Sequence, residues 1–185
     1  MSWFQREATI SLELIAPHVA KEESVVDVGA GASTLVDGLL AREHTDVTLL
    51  DIADNALAVT RKRMADVAGK RVSYVVTDVT WWKPERKYGL WHDRAVFHFL
   101  TQPEDRAAYR KVLGSAVGSG GQVVIAAIGL DGPERCSGLP VHRYSSATLA
   151  AAFDGLLRLE EERHEIHKTP TGAEQSFVYG RLRRV

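Results

Sequence analysis

Five short runs of β-branched and aliphatic residues recur along the chain, each followed by a segment with helical spacing. No other feature limits the fold so strongly. The runs fall at 24–29, 46–50, 71–77, 88–93 and 122–128. They lack the polar alternation of a half-exposed strand, so each reads as a strand covered on both faces, as in a parallel sheet. The helical segments span about 4–18, 33–43, 54–67, 103–117 and 145–153. Ser145 or Ser146 suits the N-cap of the last helix, and Asp54 that of the third. Strands and helices in alternation predict a doubly wound α/β sheet, mostly parallel.

The pattern changes after residue 153. Two extended runs, 156–167 and 175–182, flank Thr169-Pro170-Thr171-Gly172. Pro and Gly between such runs mark a turn, so the chain is expected to end in an antiparallel β-hairpin and to complete a seven-stranded sheet. The glycine-rich stretch from Gly114 to Gly121 lies between a helix and a strand and reads as a helix-ending loop. A chain of 185 residues without internal repeats is expected to form one domain, 1–185.

Charge and cysteine content narrow the function. Lys plus Arg is 23 and Asp plus Glu is 24, a net charge of −1. A nucleic-acid binder would show a basic field, so no nucleic-acid partner is expected. The one dense basic run, Arg181 to Arg184, reads as a solvated tail after the last strand. Cys136 is the only cysteine, which excludes an intrachain disulfide and a thiol metal cluster. No apolar run approaches the roughly 20 residues of a membrane span, and residues 1–15 lack the order of a signal peptide. The expectation is a cytoplasmic protein without a membrane partner.

The stretch Val25-Val26-Asp27-Val28-Gly29-Ala30-Gly31-Ala32-Ser33 carries most of the functional information. It is an apolar strand entering a glycine turn and then a helix. Gly29 and Gly31 permit a tight turn and the approach of a ligand to backbone. The helix start beyond offers free N–H groups to an anion. Asp51 follows 20 residues after Gly31, at the end of the second strand, where a carboxylate can accept both hydroxyl protons of a ribose. Asp78 closes the third strand and can accept from an adenine amino group. Any one of these acids could be a turn former or a helix cap. Asp27, Asp51 and Asp78 at three successive strand ends would converge at the carboxyl edge of the sheet, where open α/β folds bind ligands.

Asp27-x-Gly29-x-Gly31 resembles the first motif of class I S-adenosylmethionine (SAM)-dependent methyltransferases, with Ser33 where a third glycine is often found. The acids after strands two and three, and the terminal hairpin, are similar to further features of that family. The resemblance implies SAM as cofactor and S-adenosylhomocysteine (SAH) as product. It implies a cofactor site at Asp27, Gly29, Gly31, Asp51, Ile52, Asp78 and Val79. The nicotinamide-dependent dehydrogenases share Gly-x-Gly and the later acid and form the alternative. They favour Gly or Ala where Thr34 stands and make no use of acids at both Asp27 and Asp78.

In this family the end of strand four meets the methyl acceptor. Here it reads Leu90-Trp91-His92-Asp93-Arg94, which lacks the Asn/Asp-Pro-Pro-Tyr motif of enzymes that methylate exocyclic or amide nitrogens. It resembles the Trp-Asp-Arg stretch of thiopurine and tellurite methyltransferase relatives, and Pro103, Arg106 and Tyr109 match the Pro and Arg-x-x-Tyr that continue it in those relatives. The resemblance places Arg94 near the SAM carboxylate or the acceptor; the alternative is a structural contact with Asp93 or a helix end. It also implies that Trp3, in Ser2-Trp3-Phe4-Gln5, folds over the cofactor, though a packed helix face explains that segment equally. His98 and His142 are candidate acceptor-side residues. His164 and His167 lie on one predicted strand and face opposite sides, and the other histidines show no ligand spacing, so no metal site is expected. Methyl transfer from a sulfonium does not require a general base, and no catalytic residue is assigned. A small-molecule acceptor is expected, with a protein lysine as the alternative.

Overall fold

The structure, a computed structural model, describes residues 7–169 and 172–185. Its centre is a seven-stranded sheet. In chain order the strands are β1 (Val25–Val28), β2 (Val47–Asp51), β3 (Val72–Val76), β4 (Tyr88–Arg94) and β5 (Val117–Ile128). Two short strands come next, β6 (Arg135–Cys136) and β7 (Leu139–Pro140), and then β8 (Leu157–Lys168) and β9 (Glu174–Arg184). The helices are α1 (Thr9–Ile15), α2 (Leu35–Ala41), α3 (Asp54–Met64), α4 (Pro103–Ala116) and α5 (Ser146–Ala151), with a 3₁₀ turn at Phe97–Phe99. The sheet order is β3-β2-β1-β4-β5-β9-β8. The first five strands pair in parallel, whereas β9 runs antiparallel to β5 and β8.

Alternate residues of the strands feed two cores, as period-2 side chains must. Val25, Leu49, Leu90 and Val124 meet α1, α2 and α3 on one face. Val26, Leu50, Trp91 and Val123 meet α4 and α5 on the other. The sheet is therefore doubly wound. Chain order reverses between β1 and β4, which opens a crevice at their carboxyl ends, the usual ligand position in open α/β sheets.

Several expectations change in detail. The strand at 71–77 is not covered on both faces: β3 is a sheet edge, and Ser73 and Val76 are exposed. The glycine-rich stretch is no helix-ending loop. α4 ends at Ala116 and β5 begins at once, because the backbone from Val117 pairs with Tyr88 across an irregularity in register. The Arg181 run is not a tail. It lies inside β9, where buried Arg181 donates to Glu160 (2.6 Å), Glu161 (3.3 Å) and Gln122 (3.1 Å). Asp54 is the first residue of α3 rather than its cap; Ala53 holds the cap position, and the Asp51 side chain takes the Ala53 N–H at 2.8 Å. Ser145 does cap α5, in a reciprocal box with Thr148. The helix expected over 4–18 is Thr9–Ile15 among the described residues.

Candidate functional site

The loop after β1 is shaped by its glycines. Gly29 has φ +67°, and a Cβ there would stand 2.1 Å from Val96 Cγ2. The turn after β4 therefore packs directly on the glycine loop, and only glycine fits that contact. α3 braces the loop from behind. The Thr60 hydroxyl donates to the Gly31 carbonyl at 2.6 Å, and Arg63 donates to the Ser33 carbonyl at 2.5 Å while pairing with Asp37.

A cavity of about 420 Å³ opens at the carboxyl ends of β1, β2, β3 and β4. That lies within the range of roughly 300–1,000 Å³ typical of small-molecule pockets. Gly29, Gly31, Asp51, Ile52, Asp78 and Val79 all border it, as does Arg94. Ile52 is 70% exposed beside Asp51, an apolar side chain left uncovered at the pocket wall. Burial raises the Asp51 carboxyl above its ordinary range, against backbone hydrogen bonds from Ala53 and Gly31 that lower it. Asp78 accepts from Thr80 N–H (2.8 Å) and the Thr80 hydroxyl (2.7 Å), both on Oδ1.

Asp27 is placed differently. Its carboxylate does not border the cavity; it lies buried on the α1 face of the sheet and accepts from His92 Nδ1 at 2.6 Å. His92 Nε2 lies 2.8 Å from the Ser11 hydroxyl on α1. Neither His92 nor Ser11 is marked by the sequence as a ligand-site residue. A histidine directly after the apolar pair Leu90-Trp91, inside a strand, is the one visible signal, since buried polar groups in strands require partners.

The stretch after β4 is a rigid block. Asp93 accepts from Val96 N–H (2.8 Å), Phe97 N–H (3.1 Å) and the Tyr109 hydroxyl (2.6 Å). The same hydroxyl accepts from the Trp91 indole at 2.8 Å. Burial pushes the Asp93 carboxyl up to about 6, against the Tyr109 hydroxyl, whose donation lowers it. Arg106 donates to the carbonyls of Leu100 and Thr101, each at 2.8 Å. The Trp-Asp-Arg stretch with Arg106 and Tyr109 thus fixes the turn that carries Val96, Phe99 and Leu100 to the cavity.

Arg94 does not pair with Asp93. Its Nε donates to the Tyr179 hydroxyl (2.9 Å), its guanidinium lies 4.7 Å from the Phe177 ring centroid, and Glu165 is 3.7 Å away. The Tyr179 hydroxyl donates to Glu165 at 2.7 Å. Leu139, in the β6–β7 hairpin, completes this end of the cavity; Ser137 and Gly138 both have positive φ, as a two-residue hairpin turn demands.

His98 and His142 do not border the cavity. His98 is fully buried, takes the Ile128 N–H on Nδ1 at 3.3 Å, and is driven down to about 3 chiefly by burial. His142 is exposed, and its N–H donates to the His98 carbonyl at 2.8 Å. Trp81 is exposed, while Trp82 packs on Tyr88 and Trp91; neither borders the cavity. Trp3 lies outside the described residues. No group of three or more His, Cys, Asp or Glu side chains is arranged to hold a metal ion among the described residues. No helix there is long and apolar enough to cross a membrane.

A glycine turn after β1, acids ending β2 and β3, and an antiparallel β8–β9 pair closing the sheet together define a class I SAM-dependent methyltransferase fold. The chain belongs to the methyltransferase domain family, which residues 25–121 match. A curated relative, malonyl-[acyl-carrier protein] O-methyltransferase 1 of Ilyobacter polytropus, is 24% identical over 126 residues. That match covers 68% of this chain and 45% of the relative, so the chain spans about half the relative's length. Among solved structures, the N-methyltransferase NodS of Bradyrhizobium japonicum WM9 is similar over 95% of this chain and 93% of its own. Its TM-score is 0.77 at 17% identity. The 1,6-didemethyltoxoflavin-N1-methyltransferase of Burkholderia thailandensis, solved with its namesake compound and SAH, is similar over 97% of this chain and 80% of its own. Its TM-score is 0.76 at 19% identity.

Proposed function

We propose that the protein transfers the methyl group of SAM to a small-molecule acceptor. The observation that carries this reading is the joint position of Asp51 and Asp78 on the wall of one cavity whose floor is the Gly29–Gly31 loop. Asp51 accepts the ribose hydroxyls and Asp78 the adenine amino group. Ile52 and Val79 bracket the adenine ring, and the backbone of Gly29 and Gly31 faces the methionyl portion. Asp27, buried and off the cavity wall, is assigned to the methionyl ammonium on the sequence resemblance. The residues fit such a cofactor: the lining supplies carboxylate acceptors at Asp51 and Asp78, bare backbone at Gly29 and Gly31, and apolar walls at Ile52 and Val79.

Bound SAM would supply a methyl group already activated by its sulfonium. The chain's own task is alignment and exclusion of water. Arg94, Phe99, Leu100 and Leu139 form the other end of the cavity and are assigned to the acceptor. Arg94 is balanced by Glu165 and held by Tyr179, so its charge is in part satisfied before any acceptor arrives. His98 and His142 stand behind this end and support it. No side chain is assigned as a base. Trp3 is assigned to a cover over the cofactor on the sequence resemblance alone. Residues 1–185 are read as one such domain, acting in the cytoplasm without a nucleic-acid partner.

By name, the curated relative acts on malonyl-[acyl-carrier protein] and one structural neighbour on 1,6-didemethyltoxoflavin. That supports a small acceptor here. Incubation of the purified protein with methyl-labelled SAM and fractionated cell extract tests the reading. Label should appear in small molecules. Label confined to protein lysines would replace the acceptor class, and no transfer into any fraction would contradict the activity.

A further inference from the structure

Ser11, His92 and Asp27 form a hydrogen-bonded chain across three elements, α1, β4 and β1, with all three side chains buried. Asp27 and His92 are direct partners in the β1–β4 register, so the sheet itself sets them side by side. Their neighbours on the same face, Val25 and Leu90, are apolar and pack against α1 and α2. Hydrophobic residues at all three sites would serve stability as well, because buried ionic groups gain little over well-packed apolar ones.

The chain of bonds has a direction. An ionised carboxylate can only accept, so His92 Nδ1 carries the hydrogen. A neutral ring then accepts from the Ser11 hydroxyl on Nε2. Asp27 Oδ1 is occupied by this contact. Asp27 Oδ2 is buried and has no hydrogen-bond partner among the described residues. A buried carboxylate oxygen without a donor is costly unless a ligand supplies one. Asp27 itself does not border the cavity; it precedes by two residues Gly29, which does, so Oδ2 comes within a ligand's reach only if that loop gives way.

We propose that His92 and Ser11 are positioning residues for the cofactor's amino-acid end. They hold Asp27 by Oδ1 and reserve Oδ2 for the α-ammonium of the methionyl group. This rests on the cofactor reading above. It also ties α1 to that end of the ligand, since Ser11 is the helix's contribution to the chain of bonds.

Two ligands separate this role from plain packing. SAH carries the ammonium; 5′-methylthioadenosine shares the adenine, ribose and thioether but lacks the amino acid. Calorimetry on the intact protein should show His92→Leu weakening SAH by about tenfold while 5′-methylthioadenosine changes less than about twofold. His92→Asn keeps a donor near the Nδ1 position and should restore most of the SAH affinity. Ser11→Ala should give a smaller loss, again for SAH alone. Equal losses for both ligands, or unchanged SAH affinity in His92→Leu, would overturn the proposal and leave the cofactor reading standing. Should His92→Leu fail to fold, Ser11→Ala decides by the same ratio of SAH to methylthioadenosine affinities. A wild-type protein that binds neither ligand would overturn both readings together.

Discussion

At the scale of single residues, Asp51 is the carboxylate that the proposed function assigns to the ribose diol. One oxygen is engaged by the Ala53 N–H at 2.8 Å, and partial burial raises the group's proton affinity. A buried anion of this kind gains more from ribose hydroxyls than an exposed one would. Asp51→Ala should therefore remove one or two charge-assisted hydrogen bonds of about 1.5–3 kcal/mol each, and weaken SAH by roughly tenfold or more. Asp51→Asn, which keeps the acceptor for Ala53, should lose affinity without loosening α3. Calorimetry gives the first effect and thermal melting the second. An SAH affinity unchanged in Asp51→Ala would show that the ribose is not held there.

At the scale of elements, the unit that carries Val96, Phe99 and Leu100 to the cavity is β4 with the 3₁₀ turn and α4. Its hinge pin is Tyr109, whose hydroxyl joins the Trp91 indole to the Asp93 carboxylate inside the second core. Asp93 in turn holds the N–H groups of Val96 and Phe97. Tyr109→Phe leaves the ring packed against Phe97 but deprives two buried groups of a partner. Each such loss costs about 1–3 kcal/mol, so urea unfolding should show a drop of that order. Because Val96 leans on Gly29, the variant should also loosen the glycine loop and weaken SAH modestly. A melting curve that matches the wild type would show that the hydroxyl does not brace this unit.

At the scale of the whole molecule, two buried groups on this block set opposing responses to acid. His98 is pushed from 6.5 down to about 3 by burial, so the unfolded chain takes up a proton first and stability is lost as pH falls from 6.5 toward 3. Asp93 is raised from 3.8 to about 6, so the folded chain takes up its proton first and stability is gained as pH falls from 6 to 3.8. The two slopes oppose one another between those limits. His98→Gln removes the first alone, so relative to wild type the variant should hold its stability better on acidification from 6.5; urea midpoints across that range measure it. The architecture itself was legible in the sequence. β-branched runs and helical spacing fix the alternation, and Gly29, Asp51 and Asp78 mark the cavity because their chemistry depends on strand ends. The features that escaped depend on contacts between distant residues. The edge position of β3, the enclosure of Arg181 by Glu160 and Glu161, and the hold of Tyr179 on Arg94 arise from sheet order, not local pattern. So does the Asp27–His92 pair, which exists only because β1 lies beside β4. If the cavity is built for SAM, titration of the protein with SAH and with NAD in a calorimeter shows it most directly. Saturable one-site binding of SAH with no heat from NAD is the expected result. Saturable NAD binding with SAH silent would contradict it.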